Sequence, residues 1–213
     1  MKKTGLENCD QIFKKLFDSS TGVYVDCGAN NGLYNTKTKH LDDKGWMGFC
    51  IEANPEQFKN LVQNRTKPTC INTALYDKDD VSVTLTIDAR GSGGGSTLLP
   101  ADESAPRLVE KETVTCNTQT LNTIFQKNNI TRVDFLKTDL EGVDAKILLA
   151  LDFSKFMVGL ICYEQFPKLV DSTEYIKLEN KLTEAGFIKI KALHKKTDYF
   201  DGNDVVWCLK SYC

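Results

Sequence analysis

Two hydrophobic periodicities alternate along the chain. Leu6, Cys9, Ile12, Phe13, Leu16 and Phe17 recur at helical spacing, which predicts an amphipathic helix in residues 1–20 that packs on its own domain. Val23–Asp26 is a short apolar run ending in an acid, followed by CGANNG. A helix is expected next, with His40 late in it, and then a second apolar run, Trp46–Glu52, again ending in an acid. Asn54-Pro55 opens a helical stretch over 55–64, with Pro in the first turn. Thr69–Leu75 reads as a third strand. Strand, glycine turn, helix, strand, helix, strand predicts a parallel sheet with helices on its faces.

The order loosens over 78–118 and then resumes. Val81–Ile87 and Thr113–Asn117 read as strands flanking the GSGGGS segment at 91–96, with Pro100 and Pro106 in a polar stretch. This insertion is either a surface loop or a lid over a site. A helix is expected over 119–128, a strand over Val133–Thr138, a helix over 143–151 and a strand over Val158–Tyr163. A further helix at 172–185 is stopped by Gly186. Phe187–Leu193 and Val205–Leu209 have no helix between them, so they should pair antiparallel. No internal repeat or linker is visible, and residues 1–213 read as a single domain.

Composition narrows the function classes. With 41% hydrophobic residues and 14 Gly in 213, the chain is ordinary for a globular protein and long enough to fold without disulfides or zinc. Lys+Arg 27 against Asp+Glu 29 gives a net charge of -2. That excludes an overall basic field, so neither nucleic acid nor an anionic membrane is the expected partner. No apolar run approaches the roughly 20 residues of a membrane helix. Glu7, Asp10, Lys14 and Lys15 interrupt any signal-peptide core. The eight cysteines contain no CxxC pair and only two histidines, His40 and His194, accompany them, so no zinc site is expected. Six of them, Cys27, Cys50, Cys70, Cys116, Cys162 and Cys208, lie in or beside apolar runs, as buried reduced thiols do. A soluble, cytoplasmic protein fits best.

The sharpest local signal is Asp26-Cys27-Gly28-Ala29-Asn30-Asn31-Gly32 after the first strand. Gly28 and Gly32 would let backbone approach a ligand where a Cβ would clash. A dinucleotide site would instead want GxGxxG beside a pyrophosphate. Here a carboxylate precedes the first glycine, which repels pyrophosphate and suits a ligand with a cationic amino group. Glu52 ends the next strand, 20 residues past Gly32, where a carboxylate can accept both hydroxyls of a ribose. A ribose, a cation and no phosphate suggest S-adenosylmethionine rather than NAD. A tight βα turn with a solvated acid is the alternative. As an exposed strand-end acid, Glu52 should matter more to cofactor binding than to folding.

The segments VYVDCGANNG, FCIEANPEQFKNL, NTALYD, TQTLNTI, VDFLKTDLEG and ICYE occur in the order seen in FkbM-type methyltransferases, and over roughly 20–190 the sequence resembles that family. The resemblance implies a Rossmann-like class I methyltransferase: an α/β fold whose seven-stranded sheet is mostly parallel with an antiparallel last strand and helices on both faces. It implies an S-adenosylmethionine-dependent O-methyltransferase acting on a hydroxyl of a sugar, glycan or other small molecule. By the same resemblance Asp26, Gly28, Ala29, Asn30 and Gly32 hold the methionine end of the cofactor. Glu52 is the ribose acid, Ala53 beside it also binds the cofactor, Asn54 and Pro55 match the following turn, and Ala74 and Leu75 lie along the adenine. Lys137, Asp139, Glu141 and Gly142 form the KxDxEG segment, and Glu164 is the acid ending the following strand. Ser96 and Thr97 match a Gly/Ser loop before an apolar pair. Leu121-Asn122 departs from the family's usual Leu-Asp.

Methyl transfer to a hydroxyl benefits from positioning and from a base. Asp139 is the first candidate for that base and also borders the cofactor; Glu141 is the second. With Glu164 they would bring three carboxylates to one rim, and Lys137 would balance charge. Three hard oxygen ligands would also suit a divalent cation, but no metal is predicted. A nicotinamide-dependent oxidoreductase and a non-catalytic binding protein on the same fold are the competing readings.

Overall fold

The computed structural model describes residues 17–18, 21–88, 96–98, 111–166, 171–191 and 203–212. Most of the expected N-terminal helix, the GSGGGS loop up to Gly95, the region around Pro100 and Pro106, and His194 lie outside these residues. Among the described residues ten strands and five α-helices follow one another: β1 Val23–Cys27, α1 Lys39–Asp43, β2 Met47–Glu52, α2 Pro55–Asn64, β3 Thr69–Asn72, β4 Ala74–Leu75, β5 Ser82–Asp88, β6 Lys111–Gln119, α3 Leu121–Lys127, β7 Arg132–Thr138, α4 Asp144–Ala150, β8 Met157–Glu164, α5 Ser172–Glu184, β9 Phe187–Lys191 and β10 Asp204–Leu209.

Seven strands form one sheet in the order β3-β2-β1-β7-β8-β10-β9. All pairs are parallel up to β8. β10 enters antiparallel between β8 and β9, so the expected closing hairpin is present and only the last strand opposes the rest. Because side chains alternate across a strand, β1 sends Val25 and Cys27 into one core and Tyr24 into another. The first core packs α3, α4 and α5 through Leu121, Ile147 and Leu178. The second packs α1 and α2 through Leu41 and Leu61, with Phe17 against Phe135 at 5.3 Å. Helices therefore cover both faces. None of them, among the described residues, is long and apolar enough to cross a membrane.

Three expectations are corrected. The strand over Thr69–Leu75 divides at Thr73: β3 pairs with β2, whereas β4 pairs parallel with β6 in a separate three-stranded sheet. Asn72 marks the switch, its Nδ2 donating to Glu52 O at 2.8 Å. The first helix starts late, so His40 is its second residue. Asn31 Oδ1 accepts from Leu33 N and Tyr34 N, and Thr36 Oγ1 accepts from Thr38 N and Lys39 N. These turns compete with helical bonding. Cys27, Cys50, Cys70, Cys116 and Cys162 are free thiols, but Cys208, expected to be reduced, is disulfide-bonded. In the insertion, β5 and β6 form a long antiparallel hairpin, with Thr97 bridging Thr86.

Candidate active site

The strand order reverses between β1 and β7. Ligands of open α/β sheets bind outside the carboxyl ends of strands at such a point. The backbone there is tightly packed. Asp139 N–H donates to Cys27 O at 3.1 Å. Gly28 has φ +76, and a Cβ on it would lie 2.1 Å from Asp139 O; Gly32 has φ +77, and its Cβ would lie 2.5 Å from Arg65 Cγ. Chain-on-chain packing therefore already requires a glycine at both positions.

The glycine turn is clamped to the end of β2. Gly28 N and Ala29 N both donate to Ile51 O at 3.0 Å. Asn30, at φ +51, gives its N–H to Glu52 Oε2 at 2.8 Å, and Asn54 N donates to Glu52 Oε1 at 2.8 Å. Asn54 in turn caps α2 by accepting from Glu56 N at 3.0 Å. Glu52 is consequently only 7% exposed, not the exposed acid expected, because two loops fold over it. Burial pushes its carboxyl above the usual range, against the pull of these N–H groups and of Lys137. Each oxygen keeps a lone pair, so the group remains a pure acceptor suited to a pair of hydroxyls. Ala53 is half-buried beside it, while Ala74 and Leu75 are buried in the second sheet.

Asp26 is enclosed, not set on the rim. Thr38 Oγ1 donates to its Oδ2 at 2.6 Å, and Lys137 Nζ lies 3.2 Å from its Oδ1. Lys137 Nζ also lies 3.5 Å from Asp139 Oδ2 and donates to Gly28 O at 3.3 Å. Burial opposes the charge on Lys137, but Asp26 and Asp139 outweigh it and its ammonium is held firmly protonated.

The Asp139, Glu141 and Glu164 carboxylates converge, with oxygens within 4.8 Å of one another. Glu141 reaches the rim from a turn at φ +55, and its carbonyl accepts from Thr97 Oγ1 at 2.9 Å. Like charges this close cannot all ionise freely. Burial, the hydrogen bond with Asp139 and the charges of Asp139, Glu141 and Asp144 push the Glu164 carboxyl well up. Burial would raise Asp139 too, but Lys137, the Glu164 hydrogen bond and Lys37 hold it below the usual carboxylate range. Of the two, Asp139 is thus the stronger acid and Glu164 the one that favours its proton, and the Asp139 side chain is 26% exposed.

Several residues of this neighbourhood carried no sequence signal. Lys37, in the turns after β1, pairs with Asp204 at 3.2 Å, and Asp204 faces Glu164 across the β8–β10 register. Only that antiparallel register could have revealed Asp204. Asp144, at the start of α4, is fully buried and accepts from Leu140 N at 3.2 Å; burial pushes its carboxyl up to about 7. Asn122, the departure from the family pattern, has a structural role: its Nδ2 donates to Ala150 O at 2.8 Å and its Oδ1 accepts from Asp152 N at 2.9 Å. His40 is exposed and lies edge-on to Phe17.

Among solved structures the chain is similar to the TehB-like SAM-dependent methyltransferase from Corynebacterium glutamicum, at 10% identity and TM-score 0.47, over 96% of this chain and 97% of that one. It is similar to a putative rRNA-methylase from Clostridium thermocellum, at 10% identity and TM-score 0.49, over 98% and 96%. It is also similar to Aeropyrum pernix fibrillarin with natively bound S-adenosyl-L-methionine, at 13% identity and TM-score 0.45, over 87% and 65%. No curated protein matches the sequence. The sequence model described as "Methyltransferase FkbM domain" matches residues 26–189, which include the glycine turn, Glu52 and all three rim carboxylates. The chain thus belongs to the FkbM methyltransferase domain family and is an S-adenosylmethionine-dependent methyltransferase.

Proposed function

We propose that this methyltransferase is an O-methyltransferase that alkylates a hydroxyl of a sugar, glycan or other small molecule. The observation that carries the reading is the convergence of the Asp139, Glu141 and Glu164 carboxylate oxygens within 4.8 Å at the strand-order reversal, with Lys137 Nζ 3.5 Å from Asp139 Oδ2. A hydroxyl must lose its proton as its oxygen bonds to carbon, whereas an amine can shed its proton afterwards. An ionised carboxylate at the rim answers the first need.

The donor set fits the cofactor. Glu52, with an accepting lone pair on each fixed oxygen, would hold the ribose hydroxyls beside Ala53. The Gly28-Ala29-Asn30 turn, with Gly32 and the enclosed Asp26 behind it, would take the methionine end, and Ala74-Leu75 would border the adenine. When bound, S-adenosylmethionine supplies an electrophilic methyl group on a sulfonium. Asp139 accepts the proton of the acceptor hydroxyl on its carboxylate. Lys137 keeps that carboxylate ionised beforehand, and Glu164 donates the hydrogen bond that orients it. Glu141, half-buried beside it, passes the proton on to water. The anionic rim and the net charge of -2 disfavour a polyphosphate acceptor such as nucleic acid.

Calorimetry with S-adenosylhomocysteine, with NADH titrated in parallel, tests the cofactor. Transfer of labelled methyl from S-adenosylmethionine to neutral monosaccharides, run beside amine and RNA acceptors, tests the acceptor. Tight S-adenosylhomocysteine binding without an NADH response, and label in the sugar fraction, are expected. Label only in amines or RNA would overturn the hydroxyl assignment.

A further inference from the structure

A chain of buried polar groups joins the carboxylate rim to the far end of α2. Arg65, just past that helix, has N–H donors and no acceptor, and its side chain is 0% exposed. Its Nε donates to Asp42 Oδ2 at 2.6 Å, Nη2 to Tyr24 Oη at 2.6 Å, and Nη1 to Thr38 Oγ1 at 3.3 Å. A hydroxyl that accepts from arginine must send its single proton elsewhere. Tyr24 sends it to Asp42 Oδ1. Thr38, itself fully buried, sends it to Asp26 Oδ2 at 2.6 Å. That bond makes the two oxygens of Asp26 inequivalent: one is tied to Thr38 and the other is turned to Lys137.

Neutralisation alone does not require this link. Arg65 and Asp42 already cancel one another, and Lys137 already neutralises Asp26. What the Thr38 bond adds is orientation, because a carboxylate held at one oxygen cannot rotate to follow the ammonium. We propose that Thr38 and Arg65 are positioning residues for methyl transfer: Arg65 directs the Thr38 hydroxyl, Thr38 locks Asp26, and Asp26 holds Lys137 between itself and Asp139. The inference rests on the reading of Asp139 as the proton acceptor and deepens it. Neither Thr38 nor Arg65 touches the rim, so both act through Lys137.

The test compares Thr38→Val, which keeps the shape but removes the hydroxyl, with Thr38→Ser, which restores it. The first readout needs no acceptor: the Lys137 ammonium signal in nitrogen-15 NMR of the full chain. It should shift and broaden in Thr38→Val and return in Thr38→Ser. The second readout is methyl transfer to methyl α-D-glucopyranoside. Thr38→Val should lower kcat about tenfold, as small misplacements do, with KM for S-adenosylmethionine changed less than about twofold, and Thr38→Ser should recover it. An unmoved Lys137 signal in folded Thr38→Val overturns the proposal. If that variant does not fold, the wild-type Thr38 hydroxyl proton decides: it should be a slowly exchanging resonance, and a fast-exchanging one overturns the proposal. A wild-type enzyme that methylates only amines counts against the hydroxyl reading, while the NMR readout still judges the relay.

Discussion

Glu52 ties fold and function at one carboxylate, and replacing it separates two consequences. Its oxygens accept from Asn30 N and Asn54 N, both at 2.8 Å, in a pocket that leaves the residue 7% exposed. Glu52→Ala removes both acceptors. Each buried N–H left without one costs about 1–3 kcal/mol. Relief of the carboxylate's own burial, visible in its raised pKa, offsets part of this, so a net loss of about 2–4 kcal/mol is expected. Glu52→Gln keeps one carbonyl acceptor and should cost roughly half as much. Urea unfolding at pH 7 reads these values. Two ribose hydroxyls donating to a carboxylate contribute about 3 kcal/mol together, so S-adenosylhomocysteine affinity should fall roughly 100-fold in folded Glu52→Ala and roughly tenfold in folded Glu52→Gln. A stability loss in Glu52→Ala below about 0.5 kcal/mol would refute the clamp between the glycine turn and α2. Affinity in folded Glu52→Gln within about threefold of wild type would refute the ribose contact.

Other outcomes follow from the same geometry. Lys137→Met strands the buried Asp26 charge and should destabilise by about 3–5 kcal/mol in urea unfolding. Asp139→Asn should lower kcat by a factor of roughly 10²–10⁴ while S-adenosylhomocysteine affinity, measured by calorimetry, stays within a few-fold. The low pKa of Asp139 and the high one of Glu164 predict a bell-shaped kcat against pH, since protonating the first removes the base and ionising the second crowds the rim with charge. Asp144 is held up to about 7 by burial, against the Thr138 hydroxyl. Folded protein therefore keeps a proton that the unfolded chain releases at lower pH. This contribution is full below the ordinary carboxylate range and is lost as pH rises through about 7. Asp144→Asn, which can still accept from Leu140 N, should gain melting temperature relative to wild type between pH 5 and 8, and identical pH dependence would refute the assignment.

Much of the architecture follows from local pattern. Apolar alternation and glycine or proline punctuation locate nearly every strand and helix, because these signals act over a few residues. Pro55 after Asn54 marks α2, and the absence of a helix between the last two strands marks their antiparallel pairing. The carboxyl ends of β1, β2, β7 and β8 are recognisable by the acids in or just after their last residues, so Asp26, Glu52, Asp139 and Glu164 can be named from sequence. Burial and partnership cannot, because they depend on which loops fold over which residue. Glu52 reads as a surface acid until the turn at Asn30 and the cap at Asn54 close on it. That Asp139 O and Arg65 Cγ occupy the space a side chain would need at Gly28 and Gly32 is likewise visible only in the fold. Asp204 meets the site only through antiparallel register, and Lys37, Thr38 and Arg65 only through turns whose path is fixed by side-chain hydrogen bonds. The residue types at the rim are set by sequence; the opposed acidities of Asp139 and Glu164 are set by distance and burial, which exist only in the folded chain.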